Sequence, residues 1–345
     1  MGRSANALPR SGARESLMGH RSGPDVTDSL GHPDRVRSVL DDAAGPARSA
    51  LAASWRRSIT LYGLDPEDGR PPEVLGAQEL AAARQEIEPL MRAAQSTLDR
   101  LFQAVGDTGC CVLLTNRDGV PVDRRGAVAD DDQFRRWGLW SGSVWSEATE
   151  GANGIGTCLA EGRTLTIHRD QHFHTKNIGL SCTAAPIYDH QGRLAAALDV
   201  SSARADLTEG FVGLIAAAVG DAARAIEAAH FRQAFSETRI VLPPGGERHG
   251  SALLAVDRHD LVVGATRSAR QLLDITDARI AGQLPASDVL SIGGGGEAEL
   301  IEAERGAVRR ALARADGNVS AAARALGVSR ATLHRKLNRL GLAGR

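Results

Sequence analysis

Residues 317–337, GNVSAAARALGVSRATLHRKL, decide how the last part of this chain folds. Alanine and leucine recur at helical spacing on both sides of Gly327, a residue that adopts a left-handed turn without steric cost. Asn318 or Ser320 can cap the first helix and Ser329 the second, because their side-chain oxygens accept backbone N–H bonds. The stretch therefore predicts two short helices joined by a tight turn, the layout of a helix-turn-helix.

A further helix precedes this pair. Val308, Leu312 and Ala315 share one helical face, and Gly317 follows them as a residue of the type that often ends a helix. Residues 305–345 carry ten basic side chains and one acidic side chain, Asp316, whereas the whole chain has a formal net charge of −1. Charge segregated in this way predicts a local phosphate-binding surface on a protein that is not basic overall.

The second helix of the pair carries the side chains that we expect to meet DNA. Residues near the start of such a helix reach base edges in the major groove, and later basic residues contact phosphate. Arg330 is the first candidate for base reading, since Arg can bond bidentately to guanine. The alternative is a small helical hairpin with a solvated basic face. The other candidates are Ser329, His334 and Arg335 for bases, and Thr332, Lys336 and Arg339 for phosphates.

This segment resembles the Fis-type helix-turn-helix that ends many bacterial enhancer-binding activators. The pattern Gly-Asn-x-x-x-Ala-Ala-x-x-Leu-Gly-(Val/Ile)-(Ser/Asn)-Arg-x-Thr-Leu-x-(Arg/Lys)-Lys-Leu is nearly complete in residues 317–337. The resemblance implies that the unit binds double-stranded DNA as a dimer, at a palindromic site.

Composition bounds the rest of the chain. The 345 residues have room for two or three domains, and 42% hydrophobic but only 3% aromatic residues indicate alanine-rich, helical cores. The sequence has no run of eighteen apolar residues, so no transmembrane helix is predicted, and no secretory signal is expected. Four cysteines without a CxxC pair indicate reduced thiols in the cytoplasm: Cys110, Cys111, Cys158 and Cys182.

Short apolar runs separated by turns occupy the middle of the chain and predict strands. Residues 116–119, NRDG, form one turn between such runs, and residues 189–192, DHQG, form another. Long helical patterns flank the runs, which indicates an α+β domain. The predicted strands are Cys110–Thr115, Val120–Arg124, Thr164–His168, Cys182–Tyr188 and Leu194–Ser201, and the helix after them is Leu207–Glu237.

Helical patterns precede this region, and a smaller strand and helix pattern follows it. Residues 1–32 are rich in Gly, Ser, Arg and Pro and are predicted to be disordered. Pro89 kinks or divides a long helical stretch at 77–105. The other predicted elements are helices at 34–40, 47–62 and 266–273, strands at 251–256 and 261–265, and a glycine-rich linker at 291–298.

The middle of the chain resembles the GAF sensor of the acetoin-catabolism-regulator group of sigma-54 activators. The motifs are AASWRRS at 52–58, LTNRDG at 114–119, GSVWSE at 142–147, EGANGIGT at 150–157, HF at 172–173 and LSCTAAPI at 180–187. The stretch 251–290 is similar to the PAS-like insert of that group. The resemblance implies an α+β fold. Its parts are a helical segment at 33–106, a GAF domain with a signalling helix at 107–237, a PAS-like module at 238–290, the linker, and an all-α Fis-type domain at 299–345.

The chain departs from this group in one respect, and the difference limits the functions that the resemblance implies. Full-length members of the group have a central AAA+ ATPase between the sensor and the DNA-reading domain. Here the Gly-Lys-Ser/Thr of a P-loop is absent, since Lys176 stands in TKN and Lys336 stands in RKL and the chain has no other lysine. The Gly-Ala-Phe-Thr-Gly-Ala loop that acts on sigma-54 polymerase is also absent. ATP-driven promoter opening is therefore not expected of these 345 residues.

Candidate effector contacts lie in the GAF-like region. Trp140, Trp145 and Phe173 can line an apolar pocket for a small organic molecule, although core packing is the more frequent use of such side chains. The glycine-rich turn at 150–157 can present N–H groups to an anionic ligand, or it can be a tight structural turn. The full set of candidates is Trp140, Trp145, Asn153, Thr157, Phe173 and Cys182.

No constellation of residues supports catalysis or metal binding. His168, His172 and His174 do not share one helical face, and a closed zinc site needs four well-placed ligands, so no metal or other cofactor is expected. The adjacent Cys110 and Cys111 begin an apolar run and are better explained as core residues than as redox sensors. No catalytic residue is assigned.

The sequence thus predicts a cytoplasmic, homodimeric, one-component transcription regulator that is not an enzyme. Its GAF domain would sense a small-molecule effector, its helix-turn-helix would bind DNA, RNA polymerase holoenzyme is a candidate partner, and no membrane is involved. Two alternatives remain open: a DNA-occupying antagonist or partner of an ATPase-bearing paralogue, and a GAF-type thiol redox enzyme that uses the four cysteines.

Overall fold

The computed structural model describes residues 31–41, 44–45, 49–204, 209–246, 251–290 and 297–342. The disorder predicted at 1–32 and the glycine-rich linker predicted at 291–298 fall almost wholly outside the described residues. The predicted domain boundaries stay a prediction.

Four α-helices with bounds inside the described residues precede the first strand. They are α1 His32–Arg37, α2 Ala50–Thr60, α3 Ala77–Glu86 and α4 Glu88–Val105. The helical stretch predicted at 77–105 divides at Ile87, and Pro89 stands in the first turn of α4. A proline is tolerated there because the first N–H groups of a helix have no partner within the helix.

Five strands form an antiparallel sheet at the centre of the molecule. They are β1 Cys110–Asn116, β2 Pro121–Arg125, β3 Leu165–His168, β4 Ser181–Tyr188 and β5 Leu194–Ser202. Their order in the sheet is β2-β1-β5-β4-β3. All five predicted strands are confirmed. Gly119, at a φ of +80°, closes the predicted hairpin between β1 and β2.

Helices cover both faces of this sheet. Besides α4, the helices of this domain are α5 Asp131–Arg136, α6 Glu147–Glu150, α7 Gly154–Glu161 and the long α8 Glu209–Ala234. On one face, α4 and α8 pack over buried Val112 and Leu198, with Leu98 and Ile226 supplied by the helices. The short helices α5 and α6 were not predicted, because neither is long enough to show a helical period.

The opposite face of the sheet is covered by α5, α7 and the loops beside them. Phe134, Trp145 and Ile155 are buried there against Cys111 and Leu113 of β1. Residues of β1 alternate between the two faces, so every side chain of this strand is buried.

A second, smaller module follows α8. Its elements are β6 Arg239–Val241, β7 Leu254–Val256, β8 Val262–Ala265, α9 Arg267–Leu273, α10 Asp277–Ala281 and α11 Ala286–Leu290. The strands pair in the order β6-β7-β8 and have a hydrophobic core of their own. The strand predicted at 251–256 begins only at Leu254, and β6 was not predicted.

The last described part of the chain is a three-helix unit. Its helices are α12 Glu297–Arg314, α13 Val319–Ala325 and α14 Arg330–Arg339. Across the residues that the structure describes, no helix has the length and apolar character needed to cross a membrane.

Candidate nucleic-acid interface and sensor core

Backbone conformations encoded by the sequence set the turns around α13. Gly317 and Gly327 have φ angles of +80° and +64°, in the left-handed region. Asn318 Oδ1 accepts hydrogen bonds from the N–H groups of Ser320 at 3.0 Å and Ala321 at 3.1 Å. Of the two candidate caps, Asn318 is therefore the one that starts α13.

Apolar side chains hold the three helices together. Leu333 and Leu337 of α14, with Leu340 just beyond its end, are buried against Val308 and Ala311 of α12. The spacing of these leucines places them on one face of α14. The opposite face of α14 is thereby left to solvent.

The exposed face of α14 presents basic side chains. Arg330, His334, Arg335 and Arg339 are all exposed. Arg330 stands at the first position of the helix and forms no ion pair with any residue that the structure describes. Its guanidinium is therefore available to a base edge without first breaking a contact.

Two of the candidate DNA contacts are already engaged with each other. Ser329 Oγ accepts the N–H of Thr332 at 3.1 Å, and the two hydroxyl oxygens lie 2.8 Å apart. Arg335 Nη2 also donates to Thr332 Oγ1 at 3.4 Å. Ser329 thus caps α14, so reading a base would compete with that cap.

An acidic residue holds two of the predicted phosphate contacts. Lys336 and Arg339 both donate hydrogen bonds to the carboxylate of Glu304 on α12. The bonds, that from Lys336 first, hold the pKa of Glu304 below its ordinary value. A DNA phosphate would have to replace Glu304 at these two cations.

Sequence reasoning missed two exposed polar residues of this unit. Asn338 lies two turns after Arg330, on the face that Arg330 and His334 share, and Arg324 projects from α13. Asn can bond bidentately to adenine, and an exposed Arg can neutralise phosphate. The i, i+4, i+8 spacing from Arg330 to Asn338 is the signal that could have identified Asn338.

In the sensor, the SWRRS segment at 54–58 docks α2 onto the central sheet domain through one buried carboxylate. Glu147 accepts hydrogen bonds from Ser54, from Arg57 Nε at 2.8 Å and Nη2 at 3.0 Å, and from Thr157 at 3.2 Å. The hydrogen bonds to Glu147 raise the pKa of Arg57 above its ordinary value. Three motifs meet at this carboxylate, and the one that contains Ser54 is 93 residues from Glu147 in sequence.

The glycine-rich turn at 150–157 is packed against the protein. Asn153 Oδ1 accepts the N–H of Gly156 at 2.8 Å, and the Asn153 N–H donates to Thr157 Oγ1 at 3.2 Å. A Cβ at Gly156 would lie 2.4 Å from the backbone nitrogen of Glu147, so only glycine fits. These contacts favour the structural alternative for the turn, and effector binding by Asn153 or Thr157 stays a prediction.

The structure does not bring the three predicted aromatic residues into one pocket. Trp140 is stacked between the guanidinium groups of Arg124 and Arg135, each 4.2 Å from the ring centroid. Trp145 is buried in the core and donates from Nε1 to the carbonyl of Gly138 at 2.8 Å.

Phe173 lies in a separate cluster, with Val36 of α1 and Ala152. The expected apolar pocket lined by Trp140, Trp145 and Phe173 together is therefore not formed. The physical reason is that each ring packs in a different part of the fold.

A buried carboxyl group lies below α7, among three thiols. Asp199 is fully buried, and its Oδ2 accepts a hydrogen bond from Ser201 at 2.6 Å, whereas its Oδ1 has no partner among the described residues. Burial raises the pKa of Asp199 to about 7. Cys182, a predicted effector contact, lies 3.0 Å from the Ser201 hydroxyl.

The cysteines of the sensor are protected from reaction. All four are free and buried. Burial raises the pKa of Cys110, and burial reinforced by the charge of Asp199 raises the pKa of Cys111, Cys158 and Cys182. Because the thiolate is the reactive form, this arrangement gives no support to a thiol redox enzyme.

Two of the three histidines considered as ligands are used in local hydrogen bonds. His168 Nδ1 lies 2.9 Å from Ser181 Oγ, and His172 Nδ1 lies 2.9 Å from the carbonyl oxygen of Arg169. Burial lowers the pKa of His172 to about 4. Within the described ranges, no group of three or more His, Cys, Asp or Glu residues is placed to hold a metal ion.

Space for a small molecule exists at the surface of the sensor. A cleft of about 430 Å³ lies beside Glu147 and Gly156 and is lined by Tyr62, Arg117 and Leu159 among others. Both polar and apolar groups face it. It adjoins the carboxylate that docks α2, so a molecule bound there would contact the joint between α2 and the sheet domain.

Two regions of the chain match known protein families. Residues 89–226 match the GAF domain, and residues 299–340 match the family described as bacterial regulatory protein, Fis family. The chain carries a GAF domain and a Fis-type helix-turn-helix. The corresponding prediction from sequence is confirmed, as is the α+β fold class.

Curated relatives are transcriptional regulators. The acetoin catabolism regulatory protein of Cupriavidus necator is 36% identical over 225 residues, which are 64% of this chain and 34% of that protein. The acetoin dehydrogenase operon transcriptional activator AcoR of Bacillus subtilis is 29% identical over 62% of this chain and 34% of its own length. The propane 2-monooxygenase operon transcriptional activator MimR of Mycolicibacterium smegmatis is 34% identical over 40% of this chain and 23% of its own length. The chain thus matches about a third or less of the length of these relatives.

Proposed function

We propose that this protein is a cytoplasmic one-component transcription regulator that binds a palindromic DNA site as a homodimer, under the control of a small molecule sensed by its GAF domain. The observation that carries the proposal is the exposed basic face of α14 on a Fis-type helix-turn-helix, where Arg330 at the start of the helix forms no ion pair with the described residues. The GAF domain on the same chain supplies the sensing part. RNA polymerase holoenzyme is the candidate partner at the promoter.

The size of the unit supports dimeric binding. One helix-turn-helix covers one half-site, and two recognition helices reach successive major grooves when they are about 34 Å apart. An effector would act by changing the placement of two such helices. The cleft beside Glu147 is the candidate effector site, because a ligand there would contact the joint that fixes α2. Acetoin, named in two relatives, is the first molecule to test.

The test of DNA reading starts from the sites that the protein occupies across its genome. Binding of purified protein to such a site is compared with binding of Arg330→Ala. Loss of a bidentate contact to guanine should weaken specific binding by about 1–3 kcal/mol and relax the preference at one base position. Arg232→Ala, which removes the same charge from an exposed position on α8, is the matched control and should bind as the unaltered protein does.

Two results would contradict the proposal. One is the absence of sequence preference in the unaltered protein. The other is equal binding by Arg330→Ala and Arg232→Ala.

A second candidate function is an antagonist or partner of an ATPase-bearing paralogue. The absence of a P-loop motif from the 345 residues favours it. Reporter output separates the two functions: in a host that has only this regulator, an autonomous regulator still changes expression, whereas an antagonist changes expression only when the paralogue is present.

A further inference from the structure

A polar pocket of about 300 Å³ lies where the GAF domain meets the three-stranded module. The GAF side contributes Arg163, Thr164 and Arg224, and the module contributes Ser251, Arg267 and Ser268. These six residues define the inter-module pocket. It is separate from α14 and from the cleft beside Glu147.

The arrangement of one arginine in this pocket is fixed by an aromatic ring. The guanidinium of Arg267 lies over the ring of Tyr188, 4.2 Å from its centroid. The Tyr188 hydroxyl donates to the carbonyl of Gly162 at 2.9 Å, which holds the ring at the end of β4. Stacking uses the face of the guanidinium and leaves its N–H edge available as a donor.

Positive charge in the inter-module pocket exceeds negative charge. Arg163 and Arg267 form no ion pair in the part of the chain that the structure describes, while Arg224 is bonded to Asp221 one turn earlier on α8. The acidic residue of the lining is Glu227, whose Oε1 accepts the backbone N–H of Tyr188 at 2.9 Å. Among the described residues, Arg163 and Arg267 therefore face the pocket without an ion pair to a carboxylate, although the charge of Arg267 acts on the nearby Glu227.

Hydroxyl groups and free space complete the site. Ser251 is fully buried, and its Oγ lies 3.2 Å from Ser268 Oγ. Gly220 is buried in the middle of α8, and a Cβ placed there would lie 3.5 Å from Arg224 Nη1 and 4.0 Å from Thr164 Oγ1. Alanine would fit at Gly220 and would favour the helix by about 1 kcal/mol, so the packing of the helix does not require glycine. Glycine at this position leaves the pocket open.

We propose that the inter-module pocket binds a small oxyanion, the phosphate or carboxylate group of a metabolite, between Arg163 of the GAF domain and Arg267 of the module. Guanidinium groups and hydroxyls are the donors that oxyanions prefer. A bound anion would bridge the two units and stabilise their relative placement. This site does not depend on the DNA-binding role or on the effector cleft.

Calorimetric titration of the full chain tests the proposal, with inorganic phosphate in one arm and succinate in the other, at constant ionic strength. The expected result is saturable binding in at least one arm, and the stronger arm identifies the preferred oxyanion. Arg267→Gln and Arg163→Gln should each weaken binding roughly tenfold or more, the effect of losing one charge-assisted contact. Gly220→Leu should abolish binding by filling the space while it keeps every charge. Arg232→Gln, on the same helix but outside the pocket, should bind as the unaltered protein does.

Two binding results would contradict the proposed oxyanion site. No saturable binding up to about 10 mM, which corresponds to roughly −2.7 kcal/mol, would overturn the site. Equal binding by Arg163→Gln and Arg232→Gln would also overturn it, as a nonspecific effect of charge. If Arg267→Gln fails to fold, Arg163→Gln decides, because the Arg163 side chain is exposed and forms no ion pair with the described residues.

Discussion

In the helix-turn-helix, polar side chains such as Arg330, His334 and Asn338 face solvent, and the core of the unit is built from alanine, leucine and valine. In the GAF domain the arrangement is reversed, since the side chains of Glu147 and Asp199 are buried and contact other residues of the protein. A polar residue in a recognisable motif therefore has opposite meanings in the two regions. In the first it is a candidate contact for DNA, and in the second it holds the fold together.

The largest effect is expected from breaking the network of hydrogen bonds around the buried Glu147 carboxylate. Glu147→Ala leaves Arg57 without its main partner, and breaking a buried ion pair costs 3–5 kcal/mol. Because about a third of the Arg57 side chain is exposed, we expect about 2–4 kcal/mol of lost sensor stability. Tryptophan fluorescence during urea unfolding measures this, since all four tryptophans precede residue 146, in α2 and the central sheet domain.

Glu161→Ala is the control for that experiment. Glu161 also pairs with Arg57, at 2.8 Å, but it is more exposed than Glu147 and has no bond to Ser54 or Thr157. Its removal should cost clearly less. Equal costs for Glu147→Ala and Glu161→Ala would contradict the role of Glu147 as the centre of the network.

Asp199 should make the sensor less stable as pH rises. Burial raises its pKa from 3.8 to about 7, so between these values the folded chain keeps a proton that the unfolded chain has released. Stability contributed by this group is therefore lost as pH rises from about 4 to 7, by up to about 4 kcal/mol. In Asp199→Asn this dependence should vanish, so the stability of the variant relative to the unaltered protein should increase from pH 4 to pH 8.

The difference between two proteins at each pH isolates this titration from that of Glu227, whose pKa burial also raises to about 7. Asp132→Asn, at an exposed position, should show no such trend. If the difference in stability between Asp199→Asn and the unaltered protein is constant across the pH range, the prediction that the buried Asp199 carboxyl group is protonated is wrong.

A smaller effect is expected where an acidic residue restrains the DNA face. Glu304→Gln removes the charge that holds Lys336 and Arg339 and should tighten DNA binding roughly threefold, with a steeper fall in affinity as salt is added. Asp316→Asn makes the same change of net charge in the same unit and tolerates the left-handed φ of +47° at this position. If the two variants bind DNA alike, Glu304 restrains nothing and only net charge matters.

The sequence was sufficient wherever the structure depends on local signals. The five strands of the central sheet, the division of the helix just before Pro89 and the glycine turns around α13 follow from spacing, proline and glycine within a few residues. The network around Glu147 could not be predicted in this way, because Ser54 and Glu147 are 93 residues apart and only the tertiary fold brings them together. The same limit explains why three aromatic residues in neighbouring motifs do not share a pocket.

The smallest predicted effect tests whether the DNA-binding face of α14 extends to Asn338, which sequence reasoning missed. Asn338→Ala should weaken binding to the specific site by about twofold, with the loss confined to one base position, because a neutral amide reads a base edge and neutralises no phosphate. Its salt dependence should therefore match that of the unaltered protein. Arg324→Ala, on α13, should instead weaken binding to all sequences alike and reduce the salt slope by about one. If Asn338→Ala behaves as Arg324→Ala does, or changes nothing, the base-reading face ends before the last turn of α14.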